Sequence, residues 1–214
     1  MKTDDTIWTE ENTIEFWKQH DADFVADTTA SELLRLAGKH VKGAVLDIGA
    51  GSGALLDHLS GAVGLDIVPK HPRVTQGTIA KLPFPNHSFD TIFATDILEH
   101  LNTDTLVNGI SEVSRVIRRG GKFIHTVPCA EDLIQSTVCC PNCWTKFHRW
   151  GHLQVFSVQR ITALLEQHQF SVIKLKVIPL SLMAQHQIIR HFWRIFVKMK
   201  LITADCIFIV AERK

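Results

Sequence analysis

Val45-Leu46-Asp47-Ile48-Gly49-Ala50-Gly51-Ser52-Gly53 is an apolar run closing on an acid, then glycines at alternate positions, then the apolar, helix-like stretch Ala54–Ser60. That order reads as a strand, a tight loop and a helix. Glycines let the backbone approach a ligand closely, and a helix N-terminus offers free N–H groups, so a nucleotide-type cofactor is expected there. A dinucleotide loop, G-x-G-x-x-G/A, is satisfied by Gly49, Gly51 and Ala54, but that match is weak by itself. Three further pieces narrow the reading. Asp47 lies two residues before the first glycine. A second short apolar segment, Ala62 to Asp66, also ends in an acid. Then Lys81-Leu82-Pro83-Phe84-Pro85-Asn86-His87-Ser88-Phe89-Asp90 leads into Thr91-Ile92-Phe93-Ala94, followed by Thr95-Asp96-Ile97-Leu98-Glu99-His100-Leu101.

In that order and spacing, these pieces resemble the class I S-adenosylmethionine-dependent methyltransferases, in particular the small-molecule branch with an LPF…SFD…LEH signature. The resemblance is close from Ala44 to Pro128 and looser to the C-terminus. It implies an α/β, Rossmann-like fold: a seven-stranded, mostly parallel sheet of order 3-2-1-4-5-7-6, helices on both faces, and a last strand entering antiparallel. The alternation of elements agrees. Strands are expected at Ala44–Ile48, Ala62–Asp66, near Val74, Thr91–Ala94, Lys122–Val127, Ser171–Val177 and Ala204–Glu212. Helices are expected at Thr13–Lys39, Ala54–Ser60, Thr103–Ile117 and Val158–Gln169.

The resemblance also implies how S-adenosylmethionine is held. Asp47 takes the methionine ammonium or orders the loop that does. Gly49, Ala50, Gly51 and Gly53 set bare backbone against the methionine part and ribose. Asp66 accepts the ribose hydroxyls, and Ile67 stacks on adenine. The chain departs from the family at Gly77-Thr78-Ile79-Ala80-Lys81-Leu82-Pro83-Phe84, where Thr78 replaces an acid or amide that meets the adenine amino group. The Thr78 hydroxyl and the Ile79 backbone are left to recognise adenine. Thr95 and Asp96 flank the sulfonium. His100, beside the acceptor, is the candidate base; a structural histidine at a helix start is the alternative. Trp17 and Phe24, in the leading helical segment, are candidate lid residues.

The 214-residue length fits one domain over 1–214, with a helical cap over 1–40, a Cys/His insertion over 129–156 and a basic amphipathic insertion over 179–203. No stretch approaches the ~20 apolar residues of a membrane span, and the acidic N-terminus does not read as a signal peptide, so a cytoplasmic location is expected. The net charge of +1 hides segregation: residues 1–35 hold nine acids and three bases, and no acid lies between Glu166 and Asp205. Lys174, Lys176, Arg190, Arg194, Lys198 and Lys200 fall in that acid-free stretch. The apolar positions of 186–200 recur at helical spacing beside these bases, which suits contact with a membrane surface, a pocket lid, a dimer contact or plain core packing. Few bases and no recognisable module speak against nucleic acid.

Cys140-x2-Cys143-x4-His148-x3-His152 has metal-ligand spacing, and two thiolates with two imidazoles suit a structural zinc ion. Cys139 is an alternative ligand or a bystander; a redox pair or packing cysteines are the other readings. Trp144, Phe147 and Trp150 are candidate pocket walls. Two other functions stay open on sequence: a non-catalytic S-adenosylmethionine-fold assembly protein, and an NAD-dependent oxidoreductase.

Overall fold

A computed structural model describes residues 8–20 and 26–214. Phe24 lies outside them. The chain runs α1 (Glu10–His20), α2 (Ala26–Ala37), β1 (Val45–Ile48), α3 (Ala54–Asp57), β2 (Val63–Asp66), β3 (Val74–Gln76) and β4 (Phe89–Thr95). It continues through α4 (Thr103–Val116), β5 (Ile117–Pro128), the hairpin β6 (Thr137–Cys139) and β7 (Lys146–His148), then α5 (Val158–Gln167) and β8 (Phe170–Ile178). It closes with α6 (Leu180–Gln185), α7 (Gln187–Lys198) and β9 (Cys206–Arg213); short 3-10 turns lie at Gly38–His40 and Leu98–His100.

The seven-stranded sheet has the order β3-β2-β1-β4-β5-β9-β8. With the separate β6–β7 hairpin set aside, this is the order expected from the sequence. Neighbours from β3 to β5 pair in parallel, and β9 is antiparallel to both β5 and β8. Side chains alternate across this sheet as a period of two requires. Ile92, Phe123, Ile207 and Ile209 face one side with Ile110 and Val113 of α4 and Ile161 and Leu165 of α5. Phe93, Ile124, Phe208 and Val210 face the other with Leu33 and Leu36 of α2, Leu56 of α3 and Met183 of α6. Burying each such side chain stabilises by roughly 1.5–3 kcal/mol.

Local chemistry sets the element ends. Asn102 caps α4 by accepting from the Thr105 amide at 2.9 Å, and Ser157 caps α5 by accepting from the Arg160 amide at 3.1 Å. Several boundaries differ from the sequence reading, those of α3 and β5 among them. Helix α3 stops at Asp57 rather than Ser60: the next amides, of His58 and Leu59, bond only three residues back, to the Leu55 and Leu56 carbonyls at 3.2 and 3.0 Å, and the Arg73 guanidinium fastens that turn by donating to the carbonyls of Leu56, Leu59 and Ala62 at 2.5, 3.0 and 3.3 Å. Strand β5 starts at Ile117 rather than Lys122, because Phe89 pairs with Ile117 ahead of a register shift.

Candidate functional site

The carboxyl ends of β1, β2 and β4 lie side by side, with Asp47 opposite Gly64 on one neighbour and Phe93 on the other. The loop after β1 is stitched to β2. Gly49 and Ala50 amides donate to the Leu65 carbonyl at 2.7 and 3.2 Å. The Gly51 and Val68 amides donate to the two oxygens of Asp66 at 2.8 and 2.7 Å. Asp66 therefore sits with its carboxylate inside the glycine loop. Burial raises its pKa, and those amide bonds work against the rise.

Asp47 is 3% exposed, and its Oδ1 has no hydrogen-bond partner among the described residues. Burial, and then the charge of Asp66, lift its carboxyl to about 8. A buried carboxyl oxygen without a donor is unfavourable in an isolated fold. It suits a cationic ligand group that brings its own N–H donors.

The glycines act differently from one another. A Cβ on Gly49 would lie 2.0 Å from Ile97 Cδ1, and one on Gly53 would lie 2.4 Å from the His71 ring. A side chain at either position would therefore meet protein, so glycine is required there by packing as well as by backbone conformation. At Gly51 (φ +45°) the nearest atom to such a Cβ is Asp66 Oδ2 at 4.0 Å, so this glycine is open. Ala50 is buried, its Cβ packed against Gly64.

On the adenine side, Ile67 is half-buried, and its carbonyl accepts from the Gln76 side chain at 3.2 Å. The Thr78 hydroxyl accepts from the Ala80 amide at 3.3 Å, so it also serves its own turn. Ile79 is buried against Gly109 of α4, where a Cβ would come within 3.0 Å of it. Sequence reasoning missed what fixes this loop. Arg115 donates to the carbonyls of Leu82 and Phe84 at 3.0 and 2.9 Å, and to Asn86 Oδ1 at 2.8 Å. Glu112 holds Arg115 and also accepts from the Leu82 amide at 2.9 Å. The acid and base three residues apart on α4 were the available signal. Arg115→Ala is expected to destabilise the fold by about 2 kcal/mol in urea titrations, with Arg115→Lys recovering only part, since lysine lacks the fork. A loss below about 0.5 kcal/mol, the range of neutral surface changes, would remove the loop-fastening role.

At the end of β4, Thr95 is half-buried and Asp96 adopts φ +53°, rare outside glycine. Thr126 of β5 holds it there: its hydroxyl donates to Asp96 Oδ1 at 2.9 Å, and its carbonyl accepts from the Asp96 amide at 3.2 Å. Asp96 is exposed in part, yet surrounding protein desolvates its carboxyl and raises its pKa.

His100 follows in the next turn, with the Trp17 ring of α1 edge-on at 5.0 Å and the His152 ring at 4.7 Å. Trp17 thus packs on the turn that carries His100. Burial, then the charge of His152, pull the His100 imidazole down to about 3. That shift keeps the imidazole neutral at neutral pH.

The insertion after β5 folds back on this turn. The Leu153 and Gln154 amides donate to the Glu99 carbonyl at 2.7 and 3.0 Å. Glu131 Oε2 lies 2.5 Å from His152 Nδ1, and Glu131 Oε1 lies 3.3 Å from His148 Nε2. The four expected zinc ligands do not converge. In the hairpin Thr137 pairs with His148 and Cys139 with Lys146, while the Cys140 amide donates to the Thr145 carbonyl. Cys140 therefore stands three register positions, about 10 Å, from His148. The Cys143 thiol donates to the Thr145 hydroxyl at 3.3 Å, and the Cys139 thiol to the Trp144 carbonyl at 3.3 Å. Among the described residues, the groups whose metal-capable atoms come together are Glu99, His100, His152 and Glu131, His148, His152. Trp144 and Trp150 are exposed, whereas Phe147 meets Trp8 edge-on at 6.3 Å.

The sequence pattern of a family described as a methyltransferase domain matches residues 19–175. A probable S-adenosylmethionine-dependent methyltransferase of Mycolicibacterium smegmatis is 32% identical over 104 residues, covering 44% of this chain and 40% of that protein. The chain spans 38–40% of the length of the curated relatives it matches. Among solved structures, a SAM-dependent methyltransferase from Archaeoglobus fulgidus superposes with a TM-score of 0.67 at 17% identity, over 93% of this chain and 99% of that one. The 1,6-didemethyltoxoflavin-N1-methyltransferase of Burkholderia thailandensis, solved with 1,6-didemethyltoxoflavin and S-adenosylhomocysteine bound, gives 0.63 at 15% identity, over 96% and 87%. These two likenesses show a shared fold.

Proposed function

The chain belongs to the methyltransferase-domain family, whose sequence pattern covers more than half of it, and we propose that it transfers the methyl group of S-adenosylmethionine to a small-molecule acceptor. The observation that carries this reading is the buried Asp47 carboxylate with an unpartnered oxygen beneath the glycine loop. Asp47 takes the methionine ammonium, Asp66 the ribose hydroxyls, Gly51 gives open backbone, and Ile67, Thr78 and Ile79 frame adenine. When bound, S-adenosylmethionine supplies an electrophilic methyl group on a sulfonium. Thr95 and Asp96 border that group, Asp96 contributing negative charge. Trp17, His100 and His152 form the acceptor side, exclude water and orient the acceptor. A small acceptor suits a mouth narrowed by α1 and by the returning insertion, and the Burkholderia enzyme offers a precedent of small-molecule binding on this fold.

The raised pKa of Asp47 gives a signed pH dependence. Free protein holds the proton up to about 8, and a cationic ammonium favours the ionised form. Binding near pH 7 is therefore expected to release close to one proton, and S-adenosylhomocysteine affinity should climb from pH 6 to 8 and then level. Calorimetry in buffers of different ionisation heat reads the proton count; zero release, or release that persists in Asp47→Asn, would count against the assignment. NADH should not bind; a tight NADH complex would restore the oxidoreductase reading.

We also propose cytoplasmic access to an anionic membrane surface through 186–200. Ile189 and Trp193 of α7 pack on the core, while Ile188, Phe192, Ile195 and Met199 form a separate exposed apolar row. The surrounding stretch holds bases and no acid. Among the described residues no helix is long and apolar enough to cross a membrane. Sedimentation with anionic but not neutral phosphatidylcholine vesicles supports this contact, and equal recovery in the supernatant with both removes it.

A further inference from the structure

Glu99, His100 and His152 each bring a ligand atom to one point, all within 4.8 Å of one another. The hydrogen bonds around the two imidazoles determine which nitrogens are bare. His100 Nδ1 lies 3.3 Å from the Gly151 carbonyl. A carbonyl only accepts, so Nδ1 carries the proton and Nε2 keeps its lone pair. His152 Nδ1 lies 2.5 Å from Glu131 Oε2, which assigns its proton in the same way. Metal-binding histidines are oriented by this arrangement, the second nitrogen donating to a carboxylate or a backbone carbonyl. Glu99 completes the set: it is 1% exposed, and its Oε2 makes no hydrogen bond among the described residues. The backbone explains the convergence. Glu99 and His100 share one 3-10 turn, and the amides of Leu153 and Gln154 clamp the returning insertion onto the Glu99 carbonyl, next to His152.

We propose that Glu99, His100 and His152 bind one divalent transition-metal ion, zinc foremost, with Glu131 and the Gly151 carbonyl as orienting partners. Two imidazoles and a carboxylate suit zinc and its first-row neighbours better than magnesium or calcium, which take oxygen ligands. Three protein ligands leave a coordination position free, as in catalytic rather than structural zinc sites. The neighbouring group built on Glu131, His148 and His152 is a poorer site. His148 Nδ1 accepts from the amides of Trp150 and His152 at 3.3 and 3.1 Å, so its Nε2 carries the proton and has no lone pair for a metal. The histidine-rich insertion thus meets a metal through His152, but with partners from the β4 end rather than with Cys140 and Cys143. The free position would take an oxygen, nitrogen or sulfur donor of the methyl acceptor; that role rests on the proposed methyl transfer, whereas the metal binding does not.

The test uses full-length protein carrying Cys140→Ser and Cys143→Ser, stripped with a chelator and titrated with zinc sulfate against a chromophoric competitor. Metal content is read by mass spectrometry, and folding by circular dichroism. One equivalent should bind. Glu99→Gln and His152→Ala should each weaken binding at least a hundredfold, and Glu131→Gln by about tenfold or more. His100→Asn, which keeps a donor for the Gly151 carbonyl, provides a further variant if Glu99→Gln fails to fold. The proposal is overturned if folded protein takes up no zinc, if the ligand variants bind it unchanged, or if replacing the two cysteines alone abolishes uptake. S-adenosylhomocysteine calorimetry on the same samples separates the two claims: zinc uptake without cofactor binding defeats the methyl-transfer reading only, and the converse defeats the metal site only.

Discussion

Asp66→Ala weakens S-adenosylhomocysteine binding by about 3 kcal/mol, roughly a hundredfold or more in dissociation constant. The size follows from two losses. The carboxylate is proposed to accept the ribose hydroxyls, and a hydrogen bond to a charged group contributes about 1.5–3 kcal/mol. The same oxygens also receive the Gly51 and Val68 amides. Removing them leaves two donors unsatisfied and frees the loop that would face the cofactor. Asp66→Asn keeps the shape and one acceptor oxygen, so it should fall between wild type and alanine. Calorimetric affinities that agree across all three proteins would take Asp66 out of the ribose site.

Gly49→Ala is expected to cost about 3 kcal/mol of stability and to lower Tm by roughly 6–12 °C for a chain of this size. Gly49 sits at φ +75°, a region that costs an L residue about 1–2 kcal/mol. The new methyl would also stand 2.0 Å from Ile97 Cδ1, and overpacking of this kind adds about 1–3 kcal/mol. Gly120 separates the two terms. It has the same φ of +75°, but a Cβ added there would meet nothing within 4 Å. Gly120→Ala should therefore show the backbone cost alone. Gly49→Ala combined with Ile97→Ala should recover part of the packing loss. Equal melting temperatures for Gly49→Ala and Gly120→Ala would mean that Ile97 simply moves aside.

What the sequence made legible was mostly local or periodic. Apolar runs closed by acids at Asp47 and Asp66 marked strand ends, and the β1 loop needed no partner to be recognised. The order of the sheet followed from the same boxes through the family resemblance. What stayed hidden depended on contacts between distant segments. Arg73 fastens the turn after α3, and Arg115 fastens the Leu82–Phe84 loop. The cysteine–histidine spacing suggested one metal site, but spacing does not reveal hairpin register. The pairing of Thr137 with His148 carries the histidines away from Cys140. Glu131 drew no attention in the sequence, since a lone acid in a loop has no pattern; only the folded insertion sets it against His152. The packing need for glycine at Gly49 and Gly53, where a side chain would meet Ile97 and His71, was likewise invisible in the sequence.

Methyl transfer itself is read by supplying methyl-labelled S-adenosylmethionine to the protein in a cell extract, then separating small-molecule, lipid, protein and nucleic-acid fractions. Label is expected in the small-molecule fraction and should be lost with Asp66→Ala. Label confined to protein or nucleic acid, or none in any fraction while calorimetry shows the cofactor bound, would rule out a small-molecule methyltransferase and leave a different acceptor class or a non-catalytic binding protein.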